Sequence, residues 1–301
     1  MLSSSRKNTS RKRSGIVAKK VKKKVKRTAP GGGKSFAKGI TPVEDLTDNE
    51  VMLVYGRSGS GKTHFSSTWP KPLLVIDVKE KGTATIKGIE GIEVRRITTW
   101  DEFEEGYWYL KDGTKYKTIV IDQVTNLQDL GMQEIRDRHN KKQSDLFAKN
   151  NWGELGGLLK DAINRYRDLD EQYNVVFIAH ERTFAGGDEE DDALEPSIGA
   201  RVMPSVGAFL DGAMDSIGSC FIRENWTGKG KNKVRKVEYC MRIGPHAYYS
   251  TKIRRPKSAG PLPDVITDPS HRKVRDLITG KSTAKKKVTK KRKKLAKRSN
   301  K

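Results

Sequence analysis

Short continuous apolar runs alternate along this chain with stretches in which apolar residues recur every three or four positions. Val51–Tyr55, Leu73–Asp77, Lys117–Asp122 and Asn174–Ala179 are rich in Val, Ile and Leu, the composition of strands covered on both faces. Ile92–Ile97 predicts a weaker strand. Between these runs, His64–Trp69 predicts a helix stopped by Pro70, and Thr99 with Glu102 three residues on predicts a capping box. Behind that box Trp100, Phe103, Tyr107 and Leu110 fall on one helical face, which favours core packing over a base-stacking platform. Residues 124–150 predict a long polar helical region. Residues 152–169 predict a helix with Leu155, Leu158, Leu159, Ile163 and Tyr166 on one side. Alternating strands and helices of this kind predict an α/β fold with a mostly parallel sheet.

The rest of the pattern is looser. Residues 41–50 form a lead-in. Residues 181–203 predict a mobile loop with an acidic run at 188–192, in which Phe184, Arg201 and the glycines line a channel for a nucleic acid strand or simply form a solvated hairpin. Residues 205–214 predict a helix and 217–223 an extended segment. The runs 234–243 and 248–254 predict an antiparallel hairpin at the sheet edge, turning at Gly244-Pro245. A loop over 256–263 and a short helix over His271–Ile278 follow.

The candidate chemistry sits behind the first strand. Gly56-Arg57-Ser58-Gly59-Ser60-Gly61-Lys62-Thr63 fits the phosphate-binding pattern G-x-x-x-x-G-K-[ST] without a mismatch. Glycines let the main chain curl its N–H groups around a phosphate, and the helix entered at His64 adds its free N–H groups. In this pattern Lys62 reaches the β and γ phosphates of a nucleoside triphosphate and the Thr63 hydroxyl holds Mg2+. Asp122, closing a β-branched strand downstream, has the form of the second metal-side carboxylate. His180 ends another core strand and points to a phosphate-sensing role, against the ordinary alternative of a satisfied core or surface histidine.

Charge divides the chain further. Residues 1–40 hold 14 Lys and Arg and residues 281–301 hold 12, with no acid in either, so the net charge of +24 resides at the two ends and the centre is nearly neutral. Such ends predict disordered tails around a single domain over 41–280. Two separate basic runs suit phosphate contacts with nucleic acid; solubilising ends or nuclear-type targeting are the alternatives. The two cysteines, Cys220 and Cys240, lack partners at metal-ligand spacing, which predicts buried free thiols and a reducing, cytoplasmic compartment. No apolar stretch approaches membrane-spanning length, so no membrane partner is expected.

Taken with KPLLVID, TIVID, NWGELGGLLKDAINRYRDL, VVFIAHE and YYSTKIRR, the loop GRSGSGKT makes the chain resemble the phage-type AAA/RecA-like nucleotide-binding family, in particular small core-only ATPases that work with single-strand DNA annealing. The resemblance spans about residues 48–280. It implies a RecA-like P-loop NTPase core with a mostly parallel central sheet and an antiparallel C-terminal edge hairpin, binding ATP and Mg2+, with single-stranded DNA and a homo-oligomeric ring or filament as partners. It also implies that Lys252 and Arg254 reach the γ-phosphate of a neighbouring subunit. The family's catalytic glutamate stands two residues after the second-strand aspartate, where this chain has Lys79. Either Glu80, one residue on, activates the water, or the protein is a weakly catalytic, nucleotide-controlled scaffold on nucleic acid. A small-molecule kinase shares the loop but leaves the basic ends unexplained.

Overall fold

The computed structural model describes residues 40–45, 48–184, 196–227 and 234–281. Residues 1–46 and 47–301 are separate units, and the first is described only over 40–45, where Val43–Asp45 makes one turn of 3-10 helix. The expected tails, Ile40 and Lys281 apart, and the acidic run at 188–192 lie outside the described residues.

The apolar runs form the central strands. β1 (Val51–Gly56), β2 (Leu73–Val78) and β4 (Thr118–Asp122) are buried at every position. β5 (Asn174–Phe184) is buried over its first six residues only and continues four residues past His180, so His180 does not end its strand as expected. Together with β3 (Ile92–Ile97) and β7 (Ser216–Thr227) these strands run parallel, in the order β3-β2-β4-β5-β1-β7. β8 (Val234–Arg242) and β10 (Val265–Thr267) extend the sheet antiparallel beyond β7. At the opposite edge β3 keeps four exposed residues, Glu93 to Arg96, of which Glu93, Arg95 and Arg96 are charged; charged side chains blunt an open edge.

Helices cover both faces, which is why the runs are continuous rather than alternating. Val51, Leu53 and Tyr55 of β1 pack toward α2 (Trp100–Lys111), α3 (Val124–Arg138), α4 (Lys149–Arg167) and α5 (Pro204–Ala213). Met52 and Val54 pack the other way, toward α1 (Lys62–Ser66) and α6 (His271–Ile278). The capping box at Thr99 and Glu102 is formed, and Phe103 stacks on Tyr166 of α4 with centroids 4.4 Å apart. The aromatic face of α2 is therefore core, as its spacing predicts.

Several expectations change. The edge hairpin is present, but its strands are β7 and β8; residues 248–254 contribute only β9 (Lys252–Ile253), which pairs with the start of β7 at Ser216 and Ile217. Gly244-Pro245 therefore does not join paired strands. The predicted loop over 181–203 is structured at both ends, where Glu181–Phe184 pairs with β6 (Ser197–Ala200). The polar helical region breaks at His139, and a new helix starts at Lys149. Cys220 and Cys240 are buried and free on adjacent strands, with Cys240 opposite Phe221.

The helix α6 is fastened to the end of the α1 segment. The His271 N–H donates to Thr68 Oγ1 at 2.8 Å, and its ring lies on Trp69 with centroids 4.5 Å apart. Its Nε2 is buried without a hydrogen-bond partner. Burial, with Arg275 adding repulsion, lowers the His271 pKa from 6.5 to about 4. The unfolded chain takes up this proton near pH 6.5 and the folded chain only near 4, so His271 costs stability as pH falls through that window and nothing further below it. A His271→Phe variant, compared with the unaltered chain by urea unfolding, should gain roughly 1–3 kcal/mol between pH 6.5 and 4, allowing for partial exposure. Parallel pH profiles for the two proteins would contradict the buried neutral state.

Candidate functional site

The parallel register sets the site. Gly56, the last residue of β1, is level with His180 of β5 and Cys220 of β7, while Asp77 of β2 is level with Asp122 of β4. The phosphate loop, the turn after β2, Asp122 and His180 therefore emerge at one sheet edge, where ligands bind in open α/β folds.

The loop's glycines are required by geometry. At Gly56 an added Cβ would lie 2.2 Å from the Cys220 carbonyl oxygen, and Gly61 has φ +89°, in the left-handed region. Lys62 is buried and folds back so that Nζ donates to the carbonyls of Gly56 and Arg57, both at 2.9 Å. Burial lowers its pKa. Arg57 is exposed and pairs with Glu181 at 2.9 Å, Ser58 and Gly59 are exposed at the crest, and Ser60 is buried with a hydroxyl that has no partner. Thr63 Oγ1 donates to Asp122 Oδ2 at 2.9 Å, and His64 is exposed on α1.

Glu80 reaches this site because of Asp77. The Asp77 carboxylate is buried and accepts the backbone N–H groups of Glu80 and Lys81, each at 3.0 Å, from a turn with Lys79 and Lys81 at φ 57° and 56°. Lys79 is consequently exposed, and Glu80 carries its carboxylate inward. There Glu80 Oε2 accepts from Gln123 Nε2 at 2.5 Å and from Asn126 Nδ2 at 3.2 Å. Gln123 Nε2 also lies 2.7 Å from His180 Nε2, whose other close neighbour is Glu80 Oε1 at 3.8 Å. Burial, then the charge of Lys62, lowers the His180 pKa, so the ring is neutral and its Nε2 can accept from the Gln123 amide. The His180 N–H donates to Thr125 Oγ1 at 3.1 Å.

Gln123, Thr125 and Asn126 did not stand out in the sequence. Their signal was positional: they are the polar residues directly after the strand that ends in Asp122.

Electrostatics fit a divalent cation beside a polyphosphate. Burial pushes the Asp122 pKa up to about 6; the Thr63 hydrogen bond opposes this, and Glu80 and Asp77 add repulsion. A cation held by the Thr63 hydroxyl and the Asp122 carboxylate, both hard oxygen ligands, would relieve that repulsion. Lys62 and the loop N–H groups supply the complementary charge for phosphates. Lys62, Thr63, Glu80, Asp122 and Gln123 open into one cavity of about 810 Å³, lined also by Phe65, Thr68, Tyr239 and Asp268–Ser270; Asp77 and His180 stand behind that lining.

Lys252 and Arg254 lie elsewhere. Lys252 Nζ donates to the carbonyls of Asp211 and Gly212 at 2.9 and 3.1 Å, and Arg254 bonds Asp215 at 2.8 Å and the Gly212 carbonyl at 3.1 Å. These contacts cap the C-terminal end of α5, where cations complement the free carbonyls. They sit beside the start of β7, at the end of the sheet away from the phosphate loop of the same chain.

Comparison with known proteins agrees with this geometry. No curated protein matches the chain. The AAA domain family matches residues 48–255, which contain β1 through Arg254 and thus the phosphate loop, Glu80, Asp122 and His180. That family is built on a P-loop nucleotide-binding core and generally uses ATP and Mg2+. With more than half of its length matched, and with a mostly parallel sheet carrying a phosphate loop, the chain belongs to the AAA domain family of P-loop NTPases.

Proposed function

We propose that the protein is a DNA-dependent ATPase acting on single-stranded DNA, in recombination, annealing or replication of a phage-like genome. The observation that carries the ATPase part is the convergence of Lys62, the Thr63–Asp122 pair and Glu80 on one cavity. In this reading Glu80 takes the proton of the attacking water while Gln123 and Asn126 aim its carboxylate. His180, joined to the same carboxylate through Gln123, senses the γ-phosphate. Mg2+, held by Thr63 and Asp122, supplies charge neutralisation to the phosphates when bound. Placement of Glu80 inside the site favours this reading over the weakly catalytic scaffold.

The DNA part rests on charge and on a second depression. A groove of about 470 Å³ beside the β5–β6 hairpin is lined by Trp152, Arg182, Arg201 and Gln128. An aromatic ring with guanidinium groups suits a stacked base and its phosphates. The Arg201 N–H donates to the His180 carbonyl at 2.7 Å, which ties this groove to the nucleotide site. The acid-free basic ends add contacts of the counterion-releasing kind. Homo-oligomers complete the proposal. Lys252 and Arg254 would reach a nucleotide only from a neighbouring copy, after releasing the α5 carbonyls they now cap.

Two expectations follow from these assignments. Glu80→Gln should bind Mg2+·ATP within about threefold of the unaltered chain while hydrolysis falls on the order of 100-fold or more, the usual contribution of a general base. Unchanged turnover would remove Glu80 from the chemistry. Deleting residues 1–40 and 281–301 should flatten the dependence of single-stranded DNA affinity on salt, read as the slope of log K against log salt. An unaltered slope would place the phosphate contacts elsewhere.

A further inference from the structure

The cavity is larger than its phosphate end. Lys62, Thr63, Asp122 and Glu80 mark that end, which lies over β1, β5, β4 and the turn after β2. On the far side of β1 the sheet continues through β7 to β8 and β10, and these two strands supply a second wall: Tyr239 from β8, and Asp268, Pro269 and Ser270 directly after β10. A group joined to phosphates held by the loop has this wall on one side and Gly82 and Thr85, just after the Glu80 turn, on the other.

The wall is built to hold a flat ring. Tyr239 lies against the loop itself, since a Cβ added at Gly61 would stand 3.0 Å from its Cδ1. Tyr239 is nonetheless 45% exposed, so part of its ring stays open beside the cavity it lines. The Asp268 N–H donates to the Tyr239 carbonyl at 2.7 Å, so the two parts of the wall move together. Lys273 Nζ holds the carbonyls of Thr267 and Asp268, both at 2.8 Å, and Ser270 caps α6. The bond from His271 to Thr68 then fixes this segment to the end of the α1 segment, next to the phosphate loop. The distance between wall and loop is thus set before any ligand arrives, which lowers the cost of binding one.

From this arrangement we infer that Tyr239 and the Asp268–Ser270 segment form the nucleoside subsite, with the base stacked on the open face of the Tyr239 ring. The inference rests on the reading of the cavity as a nucleoside triphosphate site and adds the residues that hold the base. Asp268 and Ser270 place acceptor oxygens beside the stacked ring, for the donor groups of the base or ribose.

The test compares Mg2+-dependent binding of ATP with that of inorganic tripolyphosphate, by calorimetry, for the full chain, Tyr239→Ala and Tyr239→Phe. The full chain should bind ATP at least about tenfold more tightly than tripolyphosphate, as base–aromatic stacking commonly contributes that much. Tyr239→Ala should lose this advantage while its tripolyphosphate binding stays within about twofold, and Tyr239→Phe should keep it. Equal weakening of both ligands in Tyr239→Ala would make the ring a prop for the loop and overturn the inference, as would unchanged ATP binding. Failure of the full chain to bind either ligand would overturn the nucleotide reading, and this inference with it.

Discussion

The in-register parallel ladder is the constraint on which the rest of the structure depends. Because Gly56 stands level with His180, and Asp77 with Asp122, the ends of β1, β2 and β4 and the emerging part of β5 lie at one edge. A shift of one residue in any of these pairings would exchange the side chains packed against the two helical layers and would also withdraw a polar group from the cavity. The same apolar packing that holds the sheet between two helical layers therefore aligns the phosphate loop with its carboxylates. Fold and site are not separable here.

Within that frame the site collects charges that do not suit one another. Asp77, Asp122 and Glu80 lie close together in a partly buried setting, and the Asp122 pKa rises in consequence. Each is managed differently. Asp77 spends its oxygens on the backbone of the next turn and on Arg96, Asp122 on the Thr63 hydroxyl, and Glu80 on two side-chain amides. Lys62, meanwhile, rests on loop carbonyls. A site arranged in this way gains from accepting a cation and a polyanion together, since each relieves a strain the other would leave.

What could be read in advance followed from local chemistry. The buried strands, the capping box at Thr99, the phosphate loop and the strand-ending Asp122 each depend on a few adjacent residues, whereas β5 runs past His180 because β6 pairs with it from a distance in sequence. The position of Glu80 was left open because it depends on two left-handed residues, Lys79 and Lys81, whose turn is closed by the Asp77 carboxylate. The partner of β8 was misread for a similar reason. Gly244-Pro245 has the composition of a hairpin turn, but the long strand β7 offers β8 a nine-residue ladder that the short segment after Pro245 could not match. Tyr239 was hidden altogether, being an ordinary strand residue until the sheet order brings it over Gly61.

The central claim joins nucleotide turnover to single-stranded DNA, and ATP hydrolysis by the purified full chain tests it most directly. Rates would be compared with no nucleic acid, with single-stranded DNA and with duplex DNA, at two salt concentrations. Strong stimulation by single strands, weakening as salt rises, is the expected result. Tight DNA binding with the same slow hydrolysis under every condition would contradict it and leave a nucleotide-controlled scaffold in its place.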